Sequence, residues 1–304
     1  MSSYLGELAA LGTALCWSAT ATFFTLAGQK VGSVVVNRIR LLLAVMFLMA
    51  THWLLLGTLL PLTVERERWL WLVLSGVIGL VVADSFLFQS YVWIGPRLGS
   101  LLMSLSPVVS ALLAWLVLAE NLAASQIAGM ALAIGGIMWV ILDRNGPVRT
   151  SEDRRRYLWG ILFGLGAATG QAIGLITAKK GLGGDFPALS GNVIRMLAAA
   201  ITLWGITFFQ GQAGATVQRL TSQPQAVLSI IGGAFFGPFL GVWLSLIAIQ
   251  LTQVGVASTL MALPPIFLLP ISHFVFKEQL GWAAILGTVV AMVGVGILFI
   301  EIRN

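Results

Sequence analysis

The chain has 304 residues, of which 58% are hydrophobic and only 9% are charged, and its formal net charge is +6. Soluble domains carry roughly 25% charged residues, so this composition excludes a soluble protein with a charged, hydrated surface. Apolar runs long enough to cross a bilayer recur along the whole sequence. They predict an all-α, polytopic membrane protein rather than a transmembrane β-barrel, whose segments would be short and alternating.

Ten transmembrane helices are predicted in chain order. The first apolar run is long and lacks a basic segment before it, so it is interpreted as a retained span rather than a cleaved signal peptide. Breaks in hydropathy carry Gly, Pro or charge, and they place the spans near residues 4–28, 33–56, 69–92, 97–118, 122–142, 157–178, 187–209, 225–248, 255–276 and 281–300.

The most polar connection, residues 143–156, is predicted to be a linker loop between two halves, 1–142 and 157–304. Each half then holds five spans. Because five is odd, the second half must enter the membrane from the opposite side. The predicted fold is therefore two inverted five-helix repeats, an architecture found in many secondary transporters.

The two halves also share residues at a fixed spacing. "MSLSPVVSALLAWLVLAENL" (103–122) and "MALPPIFLLPISHFVFKEQL" (261–280) have Met, Leu, Pro, Glu and Leu at matching places, 158 residues apart. Earlier blocks match with other spacings: "NRIRLLLA" (37–44) resembles "NVIRMLAA" (192–199), and "ALGTALCW" (10–17) resembles "GLGAATGQ" (164–171). A shared order of blocks indicates an internal duplication.

A proline in the fourth span, an apolar run to Glu120–Asn121–Leu122, and then Gln126 and Gly129 resemble the EamA repeat. The second copy, from Pro265 to Gly287, resembles it too. Nearly the whole chain is similar to ten-span members of the drug/metabolite transporter superfamily. This resemblance implies an exporter or metabolite carrier with a central cavity lined by spans 1, 3, 4, 6, 8 and 9. Gln171 departs from the pattern, because many repeats keep an aromatic residue there.

Asp84 is the deepest acidic residue of the third span. A carboxylate at that depth costs roughly 2.5–3.5 kcal/mol on insertion scales, so it should face a wet cavity or a partner. Asp84 is a candidate counter-ion for a cationic solute group and a candidate for proton coupling. The alternative is a structural pair with an arginine such as Arg40. Val242 occupies the matching place in the second half.

Arg40 and Arg195 lie in the first two turns of their spans and are candidates for anion binding or for structural pairing. Glu120 and Glu278 fall at span ends, where they are expected to cap the following helices. Prolines interrupt spans four and nine, and the carbonyl groups that they free must face protein or a water-lined cavity. The remaining cavity candidates are Trp17, Tyr91, Met103, Ser106, Pro107, Gln171, Trp243, Gln250, Met261, Pro264 and Pro265.

Catalytic and metal-binding motifs are missing from the sequence. There are two histidines, one cysteine (Cys16), no HExxH, no GxSxG and no P-loop. We therefore expect no enzymatic activity, no cofactor, no metal and no nucleotide-driven pumping. The positive charge is expected to control topology rather than to bind nucleic acid. The expected partners are a small solute, membrane lipid and, as a candidate, protons; a monomer should suffice, with a dimer as the alternative.

Two arguments disagree on orientation. The positive-inside rule places the basic connection 143–156 in the cytoplasm, whereas the family resemblance implies cytoplasmic termini. The expected function is a secondary active or facilitative transporter of a small polar or amphipathic metabolite, such as an amino acid. We expect it to export its solute by alternating access in a prokaryotic plasma (inner) membrane. The alternative is a non-transporting, membrane-embedded interaction subunit with the same fold.

Overall fold

The computed structural model describes residues 4–61, 64–118, 124–142, 151–183, 186–251 and 260–297, and the regular structure within these ranges is helical. Seven of the helical segments are long and apolar enough to cross a membrane, and two shorter apolar helices cover Pro264–Phe274 and Trp282–Ile297. The prediction of an all-α, polytopic membrane protein is thereby confirmed for the part of the chain that is described.

The described residues of the first half form six α-helices and one π-helical segment. They are α1 (Leu5–Val31), α2 (Ser33–Leu56), α3 (Arg66–Gly76), the segment π1 (Val77–Ala83), α4 (Asp84–Met103), α5 (Ser106–Leu118) and α6 (Ala124–Leu142).

The second half is described as seven α-helices and a second π-helical segment. They are α7 (Ser151–Gly181), α8 (Ala188–Phe209), α9 (Ala213–Thr221), α10 (Pro224–Ala234), the segment π2 (Phe235–Gly241), α11 (Val242–Leu251), α12 (Pro264–Phe274) and α13 (Trp282–Ile297). Because α7 begins at Ser151, residues 151–156 of the predicted linker loop are helical. Residues 143–150 lie outside the described ranges.

Gly95 divides the longest apolar run, the 38 residues Arg66–Met103. Its φ of 84° and ψ of 159° are not helical. Residues other than glycine rarely adopt a positive φ of this size. An unbroken helix of this length would extend about 57 Å, against about 30 Å of hydrocarbon. The break falls between the predicted third and fourth spans.

The prolines of the predicted spans four and nine take two kinds of position: Pro107, Pro264 and Pro265 stand at helix starts, beside breaks in those spans, whereas Pro270 lies inside α12. Pro107 is the second residue of α5, while Pro264 and Pro265 are the first two residues of α12. Proline is tolerated in the first turn because its missing N–H would lack a helical partner there. The breaks lie just before the prolines, where Leu105 N donates to Leu102 O (3.1 Å) and Leu263 N to Leu260 O (3.3 Å). These two turns are again 158 residues apart.

The segments π1 and π2 are each seven residues long and stand at the same 158-residue spacing. Wide π turns inside helices occur frequently at functional sites. Pro238 lies within π2 and cannot donate a backbone hydrogen bond, which disfavours regular α-helix there. Asp84 follows π1 directly.

Helices α6 and α13 pack in reciprocal fashion. A Cβ placed on Gly136 would lie 2.6 Å from Gly287 O, and a Cβ placed on Gly294 would lie 2.7 Å from Gly129 O. Gly129 and Gly136 stand 158 residues before Gly287 and Gly294. Low numbers on one helix meet high numbers on the other, so the helices are antiparallel. Small residues permit this close approach, which drives helix association in lipid.

Two further crossings mirror each other through hydrogen bonds. In the crossing of α3 with α7, Ser75 Oγ donates to Gly174 O (2.6 Å). In the crossing of α10 with α1, Thr20 Oγ1 donates to Gly233 O (3.3 Å). Ser75 matches Gly233 at the 158-residue spacing, and Thr20 matches Gly174 at the 154-residue spacing of the first spans. The same pair of positions is bonded twice, with the hydroxyl on opposite partners.

The buried core joins the halves. One cluster packs Phe24 and Val36 with Phe88 of the first half against Ile230 and Leu268 of the second. Another joins α2 to α8 through matched residues, which are Leu41, Ala44, Leu48, Met196, Ala199 and Leu203.

Candidate functional site

Arg40 and Asp84 form a buried ion pair between α2 and the start of α4. Arg40 is 4% exposed and Asp84 is 7% exposed, and Arg40 Nη2 donates a hydrogen bond to Asp84 Oδ2. Arg40 Nε also donates to Asn37 Oδ1 (2.9 Å), and its guanidinium carbon lies 4.9 Å from the centre of the Phe88 ring. Asp84 therefore has the structural partner that its depth in the membrane requires.

The segment π1 supplies a backbone acceptor to the same cluster. Leu80 O accepts a hydrogen bond from Asn37 Nδ2 (3.3 Å) and one from Arg40 Nη2 (3.4 Å). Asn37 Nδ2 also donates to Ser85 Oγ (2.9 Å). A wide turn leaves carbonyl groups free for side-chain donors, so π1 connects the buried arginine to the third predicted span.

Arg195 repeats part of this arrangement without a carboxylate of its own. Its Nη1 donates to Asn192 Oδ1 (3.3 Å), as Arg40 donates to Asn37 three residues before it. The Nε of Arg195 and the Oε1 of Gln171 are buried and have no hydrogen-bond partner within the described ranges. A Cβ on Gly79 would lie 3.7 Å from Arg195 Nη2 and 3.2 Å from Gln171 Oε1. These three residues therefore converge near the middle of the predicted third span.

Trp17, Met261 and Pro264 lie together around α1. Trp17 packs against a cluster that contains Met261, and a Cβ on Gly241 would lie 2.9 Å from Trp17 Nε1. Ser18 Oγ donates to Pro264 O at 3.5 Å. The structure thus brings together three of the predicted cavity residues from the first and ninth predicted spans.

Tyr91 and Met103 continue the Arg40–Asp84 cluster. The Tyr91 ring centre lies 6.1 Å from that of Phe88, and Tyr91 Oη is 3.2 Å from Ser100 Oγ. Met103 packs against the same apolar cluster as Phe88 and Tyr91. The ring of Phe88 therefore links the buried ion pair to these two candidates.

Other candidates lie apart or have a limited description. Ser106 is buried and its Oγ has no partner within the described part; Pro265 is buried, and Pro107 is half-buried. Trp243 is 41% exposed. Gln250 belongs to α11, but its side chain lies outside the described residues, as does the whole of Glu120.

A cavity of about 230 Å³ separates α8 from π2 and α11. Asn192, Val242 and Trp243 lie on its walls, together with Leu48 and Thr51 of α2. A groove of about 480 Å³ adjoins it near His52, Arg68 and Ser190. Both open at the end of the bundle that carries the connections α2–α3 and α7–α8.

Glu278 binds a residue that sequence reasoning did not select. Its Oε2 accepts a hydrogen bond from Arg97 Nε (3.1 Å), and its Oε1 would lie 2.6 Å from a Cβ on Gly95. The carboxylate is therefore engaged with the turn before the predicted fourth span, rather than acting as the expected helix cap. Opposite charges in two connections at one end of the bundle were the available signal.

Within the described ranges, no group of three or more His, Cys, Asp or Glu side chains is arranged to hold a metal ion. The absence of a resident metal or cofactor remains a prediction from the sequence. The polar groups gathered here can form ion pairs and hydrogen bonds with a solute.

Comparisons with known proteins agree with this architecture. YhbE of Escherichia coli strain K12, an uncharacterized inner membrane transporter, is 30% identical over 175 residues, which are 54% of this chain and 51% of YhbE. The uncharacterized protein PA1977 of Pseudomonas aeruginosa strain PAO1 is 30% identical over 205 residues, 67% of this chain and 63% of its own. The chain thus spans about half the length of the YhbE relatives that it matches.

One crystal structure matches 97% of this chain and 95% of its own with a TM-score of 0.64, and at 16% identity it shows a shared fold alone. The profile of the EamA-like transporter family matches residues 4–142 and 158–300. With its multiple apolar helices, the protein is integral to the inner membrane. The chain belongs to the EamA-like transporter family, within the drug/metabolite transporter superfamily.

Proposed function

We propose that the protein is a secondary active or facilitative transporter that exports a small polar or amphipathic metabolite, such as an amino acid, by alternating access. Members of the family are transporters, not enzymes. The solute class, the direction and the mechanism are the content of the proposal.

The reciprocal contacts between the halves carry this proposal. Gly136 meets Gly287 while Gly294 meets Gly129, and the helices concerned are antiparallel. A two-fold axis that exchanges two antiparallel membrane helices lies in the membrane plane, which is the relation of inverted repeats. The break at Gly95 and the two shorter apolar helices support a count of ten spans.

An asymmetry between the halves supports alternating access. In the first half, Asn37 of α2 bonds to Leu80 and Ser85, so α2 is closed onto the third predicted span. In the second half, Asn192 and Val242 line the 230 Å³ cavity instead. If the halves exchange conformations, the second pair closes and the first pair opens, which exposes the site to the opposite side.

The cavity also offers a test of this motion. Leu189 and Ile247 line its opposite walls and are not candidate binding residues. In a Cys16→Ala background, we would introduce Leu189→Cys and Ile247→Cys, join them with a short bifunctional maleimide, and measure efflux of a metabolite mixture from proteoliposomes. We expect transport by each single variant and by the unlinked pair, and none after cross-linking.

Two results would count against the proposal. Full transport by the cross-linked protein would contradict alternating access at this cavity. Wild-type protein that moves no member of the mixture, under either a solute gradient or an imposed pH gradient, would favour the non-transporting interaction subunit.

A further inference from the structure

We propose that Arg195 binds an anionic oxygen group of the transported solute, either a carboxylate or a phosphate, while Gln171 accepts a hydrogen bond from a neighbouring donor group of the same solute. The inference rests on the proposed transport function and names the solute class that the site accepts. It follows from the balance of buried charge, from unpartnered polar atoms and from the position of Asn192 in the cavity wall.

The charge balance of the buried cluster is uneven. Arg40 is paired with Asp84, and the charge of Arg195 also acts on that single carboxylate. The hydrogen-bond acceptor of Arg195 is the neutral Asn192, and Val242 stands where the second half would have matched Asp84. Among the residues that the structure describes, two buried guanidinium groups therefore share one negative charge. Unbalanced charge at bilayer depth is costly, and a residue that keeps it marks a site for a ligand or an ion.

The unpartnered atoms lie where such a ligand would bind. Arg195 Nε is buried and free to donate, and Gln171 Oε1 is buried and free to accept, within the described residues. Gly79 lies against both side chains, since a Cβ on it would be 3.2 Å from Gln171 Oε1 and 3.7 Å from Arg195 Nη2. Arg195 can hold a carboxylate or phosphate through paired charge-assisted hydrogen bonds. The Gln171 amide then pairs with a donor such as a neighbouring ammonium or hydroxyl group of the solute.

One residue, Asn192, connects the cavity to Arg195, which does not itself line the cavity wall. Asn192, which binds Arg195, forms part of the wall of the 230 Å³ cavity. Pockets for drug-sized ligands have volumes of about 300–1,000 Å³, and this cavity is smaller. Its size therefore favours a small metabolite as the solute. A solute entering from the end with the α7–α8 connection would reach Asn192 first and Arg195 behind it.

A stability measurement separates binding from a structural role. We would compare thermal unfolding of the purified full chain with Arg40→Met, Arg195→Met and Arg195→Lys. Arg40→Met should lower the midpoint because it leaves Asp84 unpaired in the interior. Arg195→Met should not lower it, because it removes charge that lacks a dedicated carboxylate. A fall as large as that of Arg40→Met would overturn the assignment.

The smallest carboxylate serves as a direct probe. Sodium formate, compared with sodium chloride at equal ionic strength, should raise the midpoint of the wild type and of Arg195→Lys but not of Arg195→Met. Arg156→Gln, which alters an exposed arginine on α7, is the matched control and should respond like the wild type. The absence of a formate response in the wild type, or an equal response in Arg195→Met, contradicts the proposal.

Transport of matched solute pairs tests the solute class. Proteoliposomes would be loaded with pairs of solutes that differ in the anionic group, such as leucine with leucinamide, which lacks the carboxylate, and glycerol 3-phosphate with glycerol, which lacks the phosphate. After subtraction of the leak from protein-free liposomes, the members with the anionic group should leave faster by about tenfold or more, and Arg195→Met should lower their efflux rate by about ten- to hundredfold. Equal efflux of the members without the anionic group refutes the anion site while leaving the transport function intact. Efflux of nothing refutes transport, and the formate titration still reports on Arg195.

Lipid phosphate is the other source of the same chemistry. The formate titration would be repeated in nanodiscs of phosphatidylcholine with and without phosphatidylglycerol. A formate response that is independent of anionic lipid supports a soluble solute. Stabilisation by phosphatidylglycerol alone would assign Arg195 to a lipid headgroup and overturn the proposal.

Discussion

Replacing Gly136 by alanine should weaken the contact between α6 and α13. The new Cβ would lie 2.5 Å from Ala291 N and 2.6 Å from Gly287 O, whereas ordinary contacts are 3.4–4 Å. Both neighbours are backbone atoms and cannot move aside without moving the helix. The helices would have to separate by about 1 Å at this point, which removes a quarter to half of the dispersion energy of the contacts affected.

The neighbouring residue provides a matched control. A Cβ on Gly135 would meet nothing within 4 Å. Alanine is favoured over glycine in a helix by roughly 0.5–1 kcal/mol, so Gly135→Ala should be neutral or stabilising. Overpacking costs about 1–3 kcal/mol, so Gly136→Ala should be net destabilising by about 1–2 kcal/mol.

The assay is equilibrium unfolding of the purified protein in dodecyl maltoside with increasing SDS, followed by circular dichroism. Gly294→Ala should match Gly136→Ala in size, because its environment is the reciprocal one. The reasoning fails if Gly136→Ala is as stable as the wild type, or if Gly135→Ala loses as much as Gly136→Ala.

Three further expectations concern polar contacts. Arg40→Met should destabilise the protein by about 3–5 kcal/mol, and the double variant Arg40→Met/Asp84→Leu should recover much of that loss in the same SDS titration; equal losses in the single and double variants would argue against the pair. Ser75→Ala should cost about 0.6 kcal/mol and at most about 1.7 kcal/mol, because it removes one interhelical hydrogen bond; a loss well above this range would mean that the hydroxyl does more. Arg97→Gln should release the Glu278 carboxylate from the turn at Gly95. It should therefore increase maleimide labelling of a cysteine introduced at Gly281 in a Cys16→Ala background. Unchanged labelling would show that the Arg97–Glu278 ion pair does not restrict access to Gly281.

The matching residues of the two halves could be anticipated from the sequence because their signal is local. The spacing of 158 residues is visible in Met103, Pro107 and Gly136 with their partners, and it also relates π1 to π2. The pairing of Asp84 with Arg40 was among the stated alternatives, since a deep carboxylate needs a partner and few cations are near.

Other features depend on tertiary contacts that no single segment encodes. Residues 77–83 look like any apolar run, so π1 has no signal in the sequence, whereas π2 contains Pro238. The engagement of Glu278 with Arg97 joins connections 181 residues apart. The exposure of Trp243 depends on the separation of α8 from α11, which hydropathy does not report.

The hydroxyl groups of Ser75 and Thr20 lie on opposite partners of two matching helix crossings. Each crossing needs one donor, and either helix can supply it, so the two copies are free to place it differently. Glycine and serine can then drift between equivalent sites without loss of the contact. The same freedom extends to charge: one copy carries Asp84 and the other Val242. Similarity of shape therefore coexists with a difference in charge, in which one half holds a buried ion pair and the arginine of the other half has the neutral Asn192 as its hydrogen-bond acceptor.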